Sequence, residues 1–153
     1  MRKVVELVIL DSEDDYQKEF QAIYLAKEFE IWGVPISFDK NDFDHIFYEP
    51  DKEGNKKGRF SKRRAKKMHF MQAILSENFE KEVMFEKDRG TFAVFCSDLD
   101  CVLYLRVRVG SGKLQIGTFF DFGRDHEKML NKQKKKCEPL TRENFQKRVS
   151  DGC

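Results

Sequence analysis

Three hydrophobic rhythms follow one another along the chain. In the first third, Tyr16, Phe20, Ile23, Tyr24 and Ile31 recur at helical spacing and predict a helix over residues 13–31. Ser12 stands at its N-cap, and Glu13, Asp14 and Asp15 form an acidic first turn that suits the helix dipole. Gly33 and Pro35 end it. Ahead of it, residues 1–10 are apolar and β-branched and fit either a strand or the start of a helix. Residues 36–47 are mixed, a loop with a brief strand or turn around His45-Ile46-Phe47-Tyr48. Pro50, Gly54 and Gly58 make residues 49–58 an exposed loop. The clearest helix spans residues 60–77, capped by Ser61, with Arg64 or Ala65, then Met68, Met71 and Ile74/Leu75 as its apolar stripe.

After Asn78 the period changes to two. Val83 and Phe85 open one strand, and residues 91–96 form a second before a turn at Ser97-Asp98-Leu99-Asp100. Cys101, Leu103, Leu105, Val107 and Val109 line one face of a third, with Tyr104, Arg106 and Arg108 on the other. Gly110-Ser111-Gly112 closes a hairpin, and Leu114, Ile116, Thr118 and Phe120 share one face of the last strand. Consecutive strands joined by short turns are antiparallel. The expected fold is therefore α+β, with N-terminal helices packed on a roughly four-stranded antiparallel sheet. This domain is expected to occupy residues 1–123. Residues 124–153 read as a basic tail, with candidate helices over 125–136 and 141–149 separated by Pro139.

A length of 153 residues suits one domain. Fifteen Phe against one Trp make a core of phenyl rings, which excludes wholesale disorder. No apolar run approaches the ~20 residues that span a bilayer, and Glu6 interrupts the first of them with no small-residue cleavage site after it. No membrane partner and a cytoplasmic location are the expectations. The four cysteines form no C-x-x-C pair, and His69 and His126 lie at no ligand spacing from them, so no zinc and no cofactor are expected. Cys96 and Cys101 would face each other across a turn; without an export signal, free thiols are expected.

Charge sharpens the picture. Residues 1–55 hold 6 Lys/Arg against 14 Asp/Glu, and the remainder holds 23 against 13. The steepest segment, residues 56–67, has eight basic residues and no acidic one. Lys62, Arg63, Lys66 and Lys67 fall on the first turns of the predicted helix, where cations oppose the dipole and a phosphate would satisfy both side chains and free N–H groups. With Arg59, and with Arg106 and Arg108 beside Tyr104, they are the candidate nucleic-acid contacts. The same charges also suit a solvated face paired with the acidic N-terminal region. His45, before an aromatic pair, is a candidate proton-transfer group, although an isolated histidine also serves structure. Thr118, read locally among Leu114, Ile116 and Phe120, is a buried threonine with a backbone hydrogen bond.

These pieces occur in a telling order: His45-Ile46-Phe47, a loop, then Phe60-Ser61-Lys62-Arg63-Arg64-Ala65-Lys66-Lys67-Met68-His69-Phe70-Met71, then strands ending in Ile116-Gly117-Thr118-Phe119-Phe120. Residues 42–122 resemble the phage-type nuclease domains of the barnase–EndoU–colicin E5/D–RelE-like superfamily. Those domains show a histidine, then F-S-x-x-R-A opening a helix, then a meander whose last strand carries a threonine before an aromatic. No tyrosine follows the threonine here, where a Thr-Ala-Tyr-Pro type of ending is common. The resemblance implies a metal-independent endoribonuclease of phage or mobile-element type, cleaving RNA by 2′-OH attack. It implies His45 as base or acid, Arg63 as phosphate clamp with Arg59 and Lys67 behind it, and Thr118 bonding a phosphate oxygen or orienting the histidine. An immunity or antitoxin protein would be a further partner. The sequence names no second proton-transfer group. The alternative is a non-catalytic nucleic-acid-binding accessory protein using the same basic surfaces, and a third reading is a protein-interaction domain. Convergence of His45, Arg63 and Thr118 in one cleft would separate them.

Overall fold

The computed structural model describes residues 5–49, 58–108, 112–121 and 126–151. Helix α1 (Glu13–Phe20) starts where the sequence expects it: the Ser12 hydroxyl accepts the Asp15 N–H at 3.2 Å. Its inner face buries Tyr16 and Phe20. It does not run to residue 31. After a π-helical turn at Gln21–Leu25 the chain forms a hairpin of β1 (Phe29–Ile31) and β2 (Val34–Ser37). Trp32 at φ +50° and Gly33 at φ +81° supply the two positive φ angles of a tight hairpin turn.

Helix α2 (Asp42–Phe47) replaces the expected loop before Tyr48. A small ribbon then pairs β3 (Tyr48–Glu49) with β4 (Arg59–Phe60). The helix expected over residues 60–77 is two helices, α3 (Lys62–Ala65) and α4 (Met68–Leu75). Ser61 caps the first by accepting the Arg64 N–H at 3.2 Å, and Lys67 leaves helical geometry at φ −97°, ψ 18°.

The expected meander is present as β5 (Glu82–Glu86), β6 (Thr91–Cys96), β7 (Cys101–Arg108) and β8 (Lys113–Asp121). The hairpin turn expected at Gly110-Ser111-Gly112 lies largely outside the described residues. The sheet itself corrects the expectation of about four antiparallel strands. It has seven, in the order β1-β2-β8-β7-β6-β5-β9, with β2 parallel to β8 and every other pair antiparallel. The added strands are three or four residues long and carry Pro35 and Pro139, so alternation over them is too brief to register.

The C-terminal stretch is joined to this body. Helix α5 (His126–Lys134) is followed by β9 (Cys137–Pro139) on β5, then by α6 (Arg142–Ser150), capped by Thr141. Phe145 and Val149 of α6 lie in the main core. That core sits on the inner sheet face, where Val94, Leu103, Leu105, Ile116 and Phe119 meet Tyr16, Phe20, Phe47, Met68 and Met71. The outer face carries a smaller cluster, Met84, Ala93, Phe95 and Val102, under Leu130 of α5.

A bulge in β8 overturns one expectation about side-chain direction. Tyr104 faces Thr118 while the next residue, Leu105, faces Ile116, leaving Gly117 as the extra residue. A Cβ at Gly117 would stand 3.3 Å from the Tyr104 carbonyl oxygen, which a side chain tolerates poorly. The bulge flips the alternation, so Phe119 enters the core at 1% exposure and Phe120 turns outward at 44%. Thr118 therefore leaves the face of Leu114 and Ile116 and joins Tyr104 on the outer one. Among the described residues no helix is long and apolar enough to cross a membrane.

Candidate functional site

The outer edge of β8 gathers several of the residues singled out by the sequence. Leu103 and Leu105 point into the core, so Tyr104 and Arg106 share the outer face of β7 with Thr118 opposite Tyr104. Arg106 is exposed, and its Nε lies 3.7 Å from where a Gly117 Cβ would be, so the bulge glycine leaves room for the guanidinium. Two residues beyond Thr118, the Phe120 ring lies beneath Arg64, whose guanidinium carbon is 5.3 Å from the ring centroid. Arg64 also donates to the Tyr48 carbonyl at 3.4 Å and lies 3.9 Å from a Glu49 oxygen. Helix α2 packs on β8 and on α3, and its His45 is exposed.

Behind His45 stands a group that the sequence did not announce. Asp42 is 1% exposed and accepts the Asp39 N–H at 2.8 Å. The Asp39 carboxylate in turn accepts the Asn41 N–H at 2.8 Å, so the two aspartates close the turn that leads into α2. Burial pushes the Asp42 carboxyl up to about 6, against the pull of the Asp39 N–H. The Asp39 charge adds to the rise, while the His45 and Arg106 charges reduce it. The charges of His45 and Arg106 thus reach Asp42, while burial keeps its carboxyl well above the usual carboxylate range.

Arg63 belongs to a different cluster. Its Nη1 donates to both Asp121 oxygens at 2.8 and 2.9 Å, and its other terminal nitrogen is 3.7 Å from Glu49. Lys67 donates to the same Asp121 carboxylate at 2.5 Å. Burial of Asp121 raises its carboxyl, but the bonds from Lys67 and Arg63 more than offset this and hold it below the usual carboxylate range. The described contacts tie Arg63 to Asp121 and Glu49, and none links it to His45 or Thr118. Of the other basic candidates, Arg59 and Lys62 are exposed, Lys66 is half-buried, and Arg108 is exposed on the outer side of β7. Three of the run's eight cations, Arg63, Arg64 and Lys67, thus already lie against Glu49 or Asp121.

The remaining histidines and cysteines are accounted for by structure where they are described. His69 lies 3.1 Å from Glu19. Cys96 and Cys101 face each other in register, both buried and both free. Cys153 lies outside the described residues. Among the described residues no group of three His, Cys, Asp or Glu side chains is arranged to hold a metal. Two clefts among the described residues, about 440 Å³ beside Trp32 and Phe79 and about 520 Å³ beside Tyr24 and Phe38, are lined by none of the β8-edge residues.

Two of its members escaped the sequence reading. Arg64 was legible, because F-S-x-x-R-A places its arginine there and not at position 63. Asp42 gave no local signal, since its burial depends on how α2 meets β8. Neither a protein-family model, nor a curated protein, nor a solved structure matches this chain.

Proposed function

We propose that the protein is a metal-independent endoribonuclease of phage or mobile-element type, acting along the outer edge of β8. The observation that carries this reading is the sequence of groups there: Arg64 over Phe120, then Thr118, then Arg106 beside Gly117, with Asp42 and His45 on the helix packed against the strand. RNA cleavage by the 2′-hydroxyl needs a base for that proton, cations for the charge on the phosphorane-like transition state, and a proton for the 5′-oxygen that leaves. His45 is the proton-transfer group, exposed where substrate can reach it. Arg64, where the F-S-x-x-R-A pattern has its arginine, and Arg106 are the phosphate clamp in place of Arg63. Thr118 donates to a phosphate oxygen. Asp42 is too buried to touch RNA and acts as a positioning residue, setting the charge felt by His45.

The test is incubation of the full chain with a mixed RNA pool in excess EDTA, followed by analysis of the new ends. The reading expects cleavage that persists in chelator and leaves 2′,3′-cyclic phosphate ends. Binding without cleavage would point instead to a nucleic-acid-binding accessory protein. Neither binding nor cleavage would remove both.

A further inference from the structure

Helix α5 carries a stripe of positive charge that the proposed cleavage site does not use. Lys128, Lys132 and Lys136 recur every four residues along and just beyond it, with Lys135 beside them, and all four are exposed. None makes an ion pair among the described residues, whereas the neighbouring Lys134 is held by Glu82 at 2.9 Å. Like charges at this spacing repel by about 0.2–0.5 kcal/mol per pair, so helix stability does not select the stripe. The helix dipole favours Lys132 and Lys134 in the last turn and the lysines just past it, but it does not account for Lys128.

The position of α5 is as informative as its charge. Leu130 packs on the outer-face cluster of Met84, Ala93, Phe95 and Val102. Gln133 accepts the Tyr104 hydroxyl at 3.4 Å, and Tyr104 faces Thr118 across one strand spacing. The lysine stripe therefore flanks the same sheet face that carries Thr118 and Arg106. Because Leu130 is turned to the sheet, the described solvent side of α5 is polar, which disfavours insertion into a lipid surface. Lysine is also depleted at protein–protein contacts, where Arg and aromatic side chains dominate.

We propose that the α5 stripe is a second phosphate-contact surface, over which the RNA strand engaged at the β8 edge continues. The inference rests on the proposed ribonuclease reading and adds to it a requirement for substrate length. The mobile counterions of the RNA backbone make the effect readable, since each phosphate contact on a single strand contributes about −0.7 to the slope of log affinity against log salt.

The experiment compares the wild-type chain with Lys132→Gln/Lys136→Gln and with a charge-matched control, Lys18→Gln/Lys27→Gln. Lys18 and Lys27 are exposed on the other side of the sequence, at α1 and before β1. Binding of a 20-nucleotide single-stranded RNA is measured across a salt series, and cleavage is measured on both that RNA and a dinucleotide. The expected result is a roughly tenfold loss of affinity at moderate salt for the α5 variant, a slope shallower by about 1–1.5, and unchanged dinucleotide cleavage. The control should stay within about twofold of wild type. Equal losses in the two variants, or none in the α5 variant, would overturn the proposal while leaving the cleavage site intact. Binding of wild type to anionic phospholipid vesicles but not to RNA would overturn it too. Dinucleotide cleavage absent from wild type, with RNA affinity still dependent on α5, would remove the ribonuclease reading and keep the contact surface.

Discussion

Asp121 and Asp42 stand near β8 in similar chemical company, yet the protein treats them in opposite ways. Asp121 is clasped by Arg63 and Lys67, and its charged form is favoured despite burial. Asp42 is buried with one N–H donor, and its charged form is disfavoured despite the field of His45 and Arg106. The first is a staple joining the end of β8 to α3 and the turn before α4. The second is a group poised to change charge near neutrality. What decides between them is direct hydrogen bonding, because a bonded cation offsets desolvation and a distant one does so only in part. A dense basic run in the sequence therefore says little about where cationic charge remains available.

The comparison can be broken from the Asp121 side first, where the effect is largest. Asp121→Ala should lower stability by about 1–3 kcal/mol in chemical denaturation, less than a fully buried pair because the Arg63 side chain is 62% exposed. Asp42→Asn should do the reverse. It keeps an acceptor for the Asp39 N–H and removes a buried charge, so stability at pH 8 should rise by about 1–3 kcal/mol. A carboxyl raised to about 6 in the fold stabilises fully below about pH 4, and that contribution is lost as pH rises through 6. The wild-type stability curve should fall across that window, and the Asp42→Asn curve should stay flat there. Asp121 works with the opposite sign, its contribution present at neutral pH and lost in acid below the ordinary carboxylate range. Smallest of all, Arg63→Ala should cost under about 1 kcal/mol, since Lys67 still holds Asp121. Thermal melts of Arg63→Ala matching those of Asp121→Ala would show that the staple depends on Arg63 alone.

The sequence disclosed the parts of this molecule that are governed locally. Ser12, Ser61 and Thr141 cap helices because a hydroxyl at the right spacing meets a free N–H whatever lies around it. The meander was visible because strands of five to nine residues hold enough alternation to read. What stayed hidden was set at a distance. The β1–β2 hairpin follows a helix without a break in apolar spacing, and β9 is three residues recruited by β5. The outward turn of Thr118 depends on one extra residue at Gly117, and a one-residue shift reverses every side chain after it. For the candidate site, the residue types and their order were legible. The pairing of Arg63 with Asp121, 58 positions away, and the burial of Asp42 were not.

The proposal stands or falls on His45. The direct measurement is cleavage of one labelled RNA in excess EDTA by wild type and by His45→Ala, with affinity for the same RNA measured in parallel. A group that transfers a proton in the transition state contributes about 10²–10⁴ in rate. The account predicts a loss of that size in His45→Ala with RNA affinity unchanged within about twofold, since one imidazole is a minor part of the cationic surface. Equal cleavage by the two proteins, or cleavage by wild type that stops in EDTA, would contradict it.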